Sequence, residues 1–136
     1  MRIHSACVLS CLALAACRTS TTSHVPGPAS IAITQATPVR AWELWESGRC
    51  LGAFVRFEEH GNTERAFYSV RNREGQELGI VDLDGRAWRY RAHASEPEWL
   101  GSGTVIDGAR RILGGTTAAT SVEVDVHRLQ EILGGS

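Results

Sequence analysis

Three side chains in the C-terminal half have the types that acyl transfer requires: Ser102, His93 and Asp82. A serine nucleophile, a histidine base and an orienting carboxylate form the hydrolytic triad. Their spacing does not favour a triad above chance, and the loop GSGT (101–104) matches neither Gly-x-Ser-x-Gly nor a phosphate-binding loop. A loop leading into a helix N-cap explains these residues more simply. The sequence therefore predicts no catalytic residue, and an enzyme or enzyme inhibitor with a site near residues 96–104 is the alternative.

Metal-ligating and paired acidic residues are similarly sparse. The histidines after the first twenty residues occur singly, without His-Glu-x-x-His or His-x-His spacing. Glu58 and Glu59 are adjacent, so in a strand they point to opposite faces and cannot flank one glycosidic bond. The sequence predicts neither a metal site nor a cofactor.

Aromatic and arginine residues are the stronger candidates for a binding surface. Trp42 and Trp45 have opposite parity on one predicted strand, so both cannot face a one-sided core. Trp99 lies in an irregular segment, and Arg89 and Arg91 alternate with aromatic residues. We predict a surface formed by Trp45, Arg89, Arg91 and Trp99 that stacks on a glycan ring or a protein partner. The alternative is that all four tryptophans belong to the core.

Composition limits the class of partner. The 136 residues carry a net charge of -1, and all 14 basic residues are arginine. General nucleic-acid binders carry a clear basic excess, so a nucleic-acid partner is not expected. The length corresponds to one domain with appendages.

The N-terminus has the pattern of an export signal. Arg2 is followed by an apolar run from Ala6 to Ala16, interrupted only by Ser10. This run is too short to span a bilayer, which needs about 20 apolar residues. Small residues precede Cys17, as a signal peptidase requires.

Leu14-Ala15-Ala16-Cys17 resembles the lipobox of bacterial lipoproteins. The resemblance implies that the Cys17 thiol receives a diacylglyceryl group, that residues 1–16 are removed and that the new amine is acylated. Several acyl chains anchor a protein stably, whereas one binds only marginally. Arg18 is not the Asp that retains enterobacterial lipoproteins at the inner membrane, so the outer membrane is favoured. An ordinary secretory signal cleaved near Ala16 is the alternative.

The lipobox changes the interpretation of the four cysteines. Cys7 and Cys11 leave with the leader, Cys17 carries lipid, and only Cys50 remains as a thiol. The mature domain then has no intramolecular disulfide. We interpret Cys50 as a buried packing thiol, with an exposed thiol that pairs with another chain as the alternative.

Domain boundaries follow from composition. Residues 17–38 comprise the lipidated cysteine and a Ser/Thr/Pro-rich segment that is typical of a flexible tether, with a reach of roughly 25 Å. Residues 39–136 form the single globular domain. Ser47-Gly48 and Asp84-Gly85 each separate two alternating runs, and we predict a hairpin at both, with a two-residue type I′ turn at Asp84-Gly85.

The elements define an α+β fold. We predict an antiparallel meander or partial barrel of five to six strands, with Leu51, Ala53, Val55 and Phe57 on one face of its second strand. Thr104 and Asp107 match a capping box, which predicts a packed helix that Gly114-Gly115 ends. A short C-terminal helix follows the last strand.

The function predicted from the sequence is a membrane-anchored envelope lipoprotein with a non-enzymatic binding or assembly domain, whose partner is an envelope protein or cell-wall glycan. A periplasmic enzyme or inhibitor is the alternative.

Overall fold

The computed structural model describes residues 36–133, so the leader and most of the predicted tether lie outside the described residues. Residues 36–38, which we assigned to the tether, belong to the first strand. Within this range no helix has both the length and the apolar character needed to cross a bilayer. The elements of the range are seven strands and two helices: β1 Ala36–Glu46, β2 Arg49–Glu59, β3 Asn62–Arg71, β4 Glu77–Asp82, β5 Ala87–Arg89, β6 Glu98–Gly101, α1 Val105–Leu113, β7 Thr120–Val124 and α2 Val126–Leu133.

The strands form one open antiparallel sheet in the order β6-β5-β4-β3-β2-β1-β7. Six consecutive strands make a meander, as predicted, since each strand pairs antiparallel with the next one along the chain. The chain then crosses the sheet through α1 and adds β7 beside β1. The α+β class, the packed helix and the short C-terminal helix are confirmed, and the sheet has one strand more than the five or six expected.

Each helix packs on a different face of this sheet. On the α1 face, Leu44, Phe54 and Val70 form a buried cluster with Ala109 and Ile112 of the helix. On the opposite face, which we call the α2 face, a smaller cluster consists of Ala41, Ala53, Val55 and Leu129. Alternate residues of β1 and β2 are therefore buried on opposite sides, because successive strand side chains point to opposite faces.

The ends of α1 are as the sequence predicts. The Thr104 hydroxyl accepts a hydrogen bond from the Asp107 backbone N–H, and the Asp107 carboxylate accepts one from the Thr104 backbone N–H. Gly114 ends the helix in the left-handed conformation, with a φ of 72°. This reciprocal cap fixes the start of α1 directly after the GSGT loop, which explains the residues of that loop structurally.

Two of the expected details are wrong. Type I′ turns need positive φ at both central residues, and around Asp84-Gly85 only Gly85 has one, at 75°. The observed turn runs from Asp82 to Gly85, closed by a hydrogen bond from the Gly85 N–H to the Asp82 carbonyl. Leu51 does not share a face with Ala53, since it packs against the α1 cluster beyond a register shift in the β1–β2 pairing.

Candidate functional site

A continuous row of side chains crosses the α2 face from the middle of the sheet to its β6 edge. The register pairs Val55 with Ser69, Ser69 with Ile80, Ile80 with Trp88, and Trp88 with Trp99. Directly opposed residues of antiparallel strands point to the same face, so all five belong to one surface. The row ends in Trp88 of β5 and Trp99 of the edge strand β6.

The two tryptophans have different environments although they touch. Their ring centroids are 5.3 Å apart with a 55° tilt. Trp88 is only 3% exposed, whereas Trp99 is 38% exposed. The buried ring therefore supports the outer one, and Trp99 presents an indole surface to solvent at a defined position.

Tyr90 adds a second exposed ring beside this pair. It lies two residues after Trp88, on the same side of the chain, and its side chain is 41% exposed. Partial burial, together with the nearby Glu77 carboxylate, raises the pKa of Tyr90 to about 12. Its hydroxyl group is therefore protonated at neutral pH, and it is hydrogen-bonded to the Glu77 carboxylate.

A second aromatic pair extends the surface along β2 and β3. Phe57 and Phe67 stack with centroids 5.5 Å apart and planes 10° from parallel. Both rings are partly buried, and the Arg71 guanidinium lies 5.9 Å from the Phe57 centroid. We define the aromatic patch as five of the rings on this face: Phe57, Phe67, Trp88, Tyr90 and Trp99.

Polar groups border the aromatic patch on both sides. On one side the buried Ser69 hydroxyl donates to Glu77 and accepts from Arg71 Nε at 3.2 Å. On the other side Arg86 lies 5.9 Å from the Trp88 ring and pairs with Asp82. Aromatic surface bordered by oriented charged groups is the composition of a recognition surface, because apolar contact gives affinity and the polar groups give orientation.

The four predicted surface residues do not come together at one place. Trp99 belongs to the aromatic patch, and Trp45 is on the same face of the sheet with 36% exposure. Four strands lie between them, a separation of about 24 Å at the usual strand spacing. The Trp45 indole N–H instead donates to the Glu43 carboxylate at 2.9 Å.

Arg89 and Arg91 alternate with Trp88 and Tyr90 and therefore lie on the other face. Both bind Glu98, at 2.8 Å and 3.0 Å. The hydrogen bond from Arg89 is the main cause that lowers the pKa of Glu98, and the charges of both arginines add to it. These guanidinium groups are thus engaged in a cluster within the chain.

The residues of the hypothetical triad are not assembled. The Asp82 carboxylate accepts hydrogen bonds from the backbone N–H groups of Asp84 and Arg86, so it holds the turn. His93 is exposed in a left-handed conformation with a φ of 66°. Among the hydrogen bonds found within residues 36–133, none joins Ser102, His93 and Asp82 to one another.

A concavity lies at the other end of the sheet, between β1, β7 and α2. It has a volume of about 330 Å³ and is lined by Glu43, Glu123, Val124, Asp125, Arg128 and Leu129. Its carboxylates have structural roles. Asp125 accepts hydrogen bonds from backbone N–H groups in the first turn of α2, and these hydrogen bonds lower its pKa. Glu123 binds Arg40 through two hydrogen bonds. No group of three or more histidine, cysteine or acidic side chains in residues 36–133 is arranged to hold a metal ion.

Cys50 is a half-buried thiol at the start of β2. Its sulfur lies 3.5 Å from the Gly52 carbonyl, to which the thiol donates, and burial raises its pKa. A raised pKa disfavours the reactive thiolate form, so these contacts fit a packing role.

Comparison of the chain with protein-family models, with curated proteins and with solved structures finds no match. The candidate site is thus defined by geometry. Of the rings in the aromatic patch, the sequence predicts only Trp99 as a surface residue. It does not predict that Phe57, Phe67 and Tyr90 belong to the same surface. Strand alternation was the signal for Tyr90, which has the parity of Trp88, but only the register brings the phenylalanines opposite each other.

Proposed function

We propose that this protein is a membrane-anchored lipoprotein of the bacterial cell envelope, favoured at the outer membrane, whose domain is a non-enzymatic binding module. The lipobox ending at Cys17 supports the anchor. The exposed rings of Trp99 and Tyr90, held beside the buried Trp88, support the binding role. Large aromatic side chains of this kind, apolar in body and polar at one edge, are enriched at recognition surfaces.

The partner we propose is cell-wall glycan. A pyranose ring has an apolar C–H face that stacks on an indole, and its hydroxyl groups need donors and acceptors around that stack. The aromatic patch offers an exposed platform in Trp99, and the Tyr90 hydroxyl and the Glu77 carboxylate on the same face are hydrogen-bonding groups. The patch lies on an open sheet face beside an edge strand, a shape that admits a long polymer.

The binding proposal is tested by co-sedimentation of the full chain with isolated peptidoglycan sacculi. Soluble muropeptides are then titrated while tryptophan fluorescence is followed. We expect Trp99→Ala to weaken binding about tenfold or more, because truncating a central aromatic residue typically costs at least 1.4 kcal/mol. In the titration with soluble muropeptides, Trp45→Ala is the matched control, since it removes the same ring at nearly the same exposure from the distant edge. A small muropeptide fills one site at a time, so this variant should bind it like the wild type.

Two outcomes would overturn the glycan proposal. One is equal binding by the two alanine variants and the wild type. The other is a chain that does not bind sacculi but is cross-linked in cells, from a photoreactive residue at position 99, to one defined protein. That result would identify an envelope protein as the partner.

The anchor is tested separately by Cys17→Ser. We expect the wild type to incorporate labelled palmitate and to partition into membranes, and the variant to do neither, because several acyl chains are required for stable anchoring. Cys50→Ser is the control and should keep both properties. Label or membrane association that persists in Cys17→Ser would contradict the lipoprotein assignment without affecting the glycan test.

A further inference from the structure

The two edge strands of the sheet differ in how well they are protected from pairing with another chain. β6 has four residues, follows Pro97 and ends at Gly101, whose φ is 108°. A short strand flanked by proline and glycine is a poor template for an added strand. β7 has the sequence TSVEV, with neither proline nor glycine and with three β-branched residues, and its ladder within residues 36–133 is with β1 alone.

Charge does not protect β7 either. Glu123 is its single ionised side chain, and Arg40 of the neighbouring strand binds it with two hydrogen bonds of 2.9 Å and 2.8 Å. The centre of the strand is Val122, which is 50% exposed, more than any other large apolar side chain among residues 36–133 whose side chains are described. An exposed apolar residue at the middle of an unprotected edge is a site for strand addition.

The sequence of β7 is complementary to itself in the antiparallel direction. A twofold axis through Val122 places it opposite the partner's Val122 and places Ser121 opposite the partner's Glu123. Thr120 then lies opposite the partner's Val124. No like charges face each other, and β-branched residues meet at three of the five positions, which is favourable for cross-strand pairs.

We propose that β7 pairs antiparallel with β7 of a second copy of this chain, so that two sheets join into one continuous sheet across a symmetric dimer. A twofold contact closes on itself and does not extend into a fibre. The Trp88–Trp99 end of each aromatic patch lies at an outer β6 edge of such a dimer and stays free, so two anchored domains would present two binding faces.

The surroundings of β7 fit this arrangement. Trp45 lies beside Thr120 in the ladder, and α2 begins two residues after Val124. Because Thr120 is opposite the partner's Val124, each α2 comes close to the exposed Trp45 of the other copy. The helix carries the exposed Arg128, a cation that suits the pair formed by Trp45 and the Glu43 carboxylate.

The proposal is tested by the molar mass of the full chain, with serine at all four cysteines, measured by light scattering over a concentration series. We expect a dimer whose dissociation constant rises at least tenfold with Val122→Lys, because two ammonium groups would then meet at the twofold axis. Leu83→Lys is the matched control. It changes an exposed apolar residue in the β4–β5 turn and should leave the dimer unchanged.

Cross-linking gives a second readout, which detects a product that forms and does not depend on a loss of dimerisation. In the same cysteine-free chain, Val122→Cys should form a disulfide-linked dimer on mild oxidation, since opposed residues of antiparallel strands have a spacing that a disulfide accepts. Leu83→Cys should form far less. The proposal is overturned by a monomer at all concentrations, by a dimer that Val122→Lys does not weaken, or by equal cross-linking of the two cysteine variants.

Discussion

The two halves of the sheet each carry one exposed tryptophan on the same face, and they differ in what supports it. Trp99 rests against the buried ring of Trp88, while Trp45 is held by a single hydrogen bond to Glu43. Among the aromatic pairs found in residues 36–133, Trp45 takes part in none. Similar exposure therefore accompanies two different environments: Trp99 rests on another ring at the β6 edge, and Trp45 hydrogen-bonds to a carboxylate near the β7 edge.

The largest expected effect is on the free energy of unfolding, and it differs between the two ends of the sheet. We expect Trp88→Ala to lower the free energy of unfolding by about 3–5 kcal/mol, because it leaves a cavity under Trp99. Trp45→Ala removes an exposed ring and should cost less than about 1 kcal/mol. Urea denaturation at one fixed protein concentration, followed by circular dichroism, measures both. Equal losses would show that the two edges hold their tryptophans alike.

Side-chain alternation accounts for what could be predicted at these edges. The opposite parity of Trp42 and Trp45 predicts that both cannot face a one-sided core; in the structure Trp42 stacks on Phe54, and Trp45 lies on the other face with 36% exposure. Parity depends only on local backbone geometry, so the sequence carries it. The order of the strands in the sheet sets the separation of Trp45 from Trp99. That order depends on long-range pairing, which no local sequence pattern contains.

A second prediction compares glycines in two hairpins, one near each tryptophan. Gly85 and Gly48 have φ values of 75° and 73°, so alanine is strained at both. A Cβ atom on Gly85 would lie 1.8 Å from the Gly103 carbonyl oxygen, whereas nothing lies within 4 Å of one on Gly48. We expect Gly48→Ala to cost about 1–2 kcal/mol from the left-handed backbone alone. Gly85→Ala should cost about 1–3 kcal/mol more, because the turn must move away from the loop before α1. Thermal unfolding of the two variants in parallel checks the order, which a larger loss for Gly48→Ala would contradict.

These glycines also show where turn prediction from sequence fails. The sequence predicts a hairpin at Ser47-Gly48, and both residues have positive φ, as a type I′ turn requires. Asp84-Gly85 has the stronger local signal for the same turn but forms a longer one. The backbone N–H of Gly103 donates to the Gly85 carbonyl, so a tertiary contact with the α1 loop selects the turn geometry.

The smallest expected effect concerns one carboxylate at each edge. Arginine hydrogen bonds are the main cause that lowers the pKa of Glu98 in β6 and of Glu123 in β7. A carboxylate whose pKa is lower in the folded state than in the unfolded state stabilises the fold above the unfolded value. That contribution is lost as pH falls below about 4.5 and through the folded-state pKa.

Replacing each carboxylate with an amide should therefore reduce the loss of stability between pH 7 and pH 3. We expect a larger reduction for Glu98→Gln than for Glu123→Gln, because two arginines bind Glu98 and one binds Glu123. Urea midpoints at both pH values measure the difference, at low salt because solvent reaches both ion pairs and salt screens them. Glu64→Gln, which changes a carboxylate exposed in β3, is the control. If both variants lose as much stability at pH 3 as the wild type, the edge ion pairs contribute nothing, and the edges then differ only in their aromatic support.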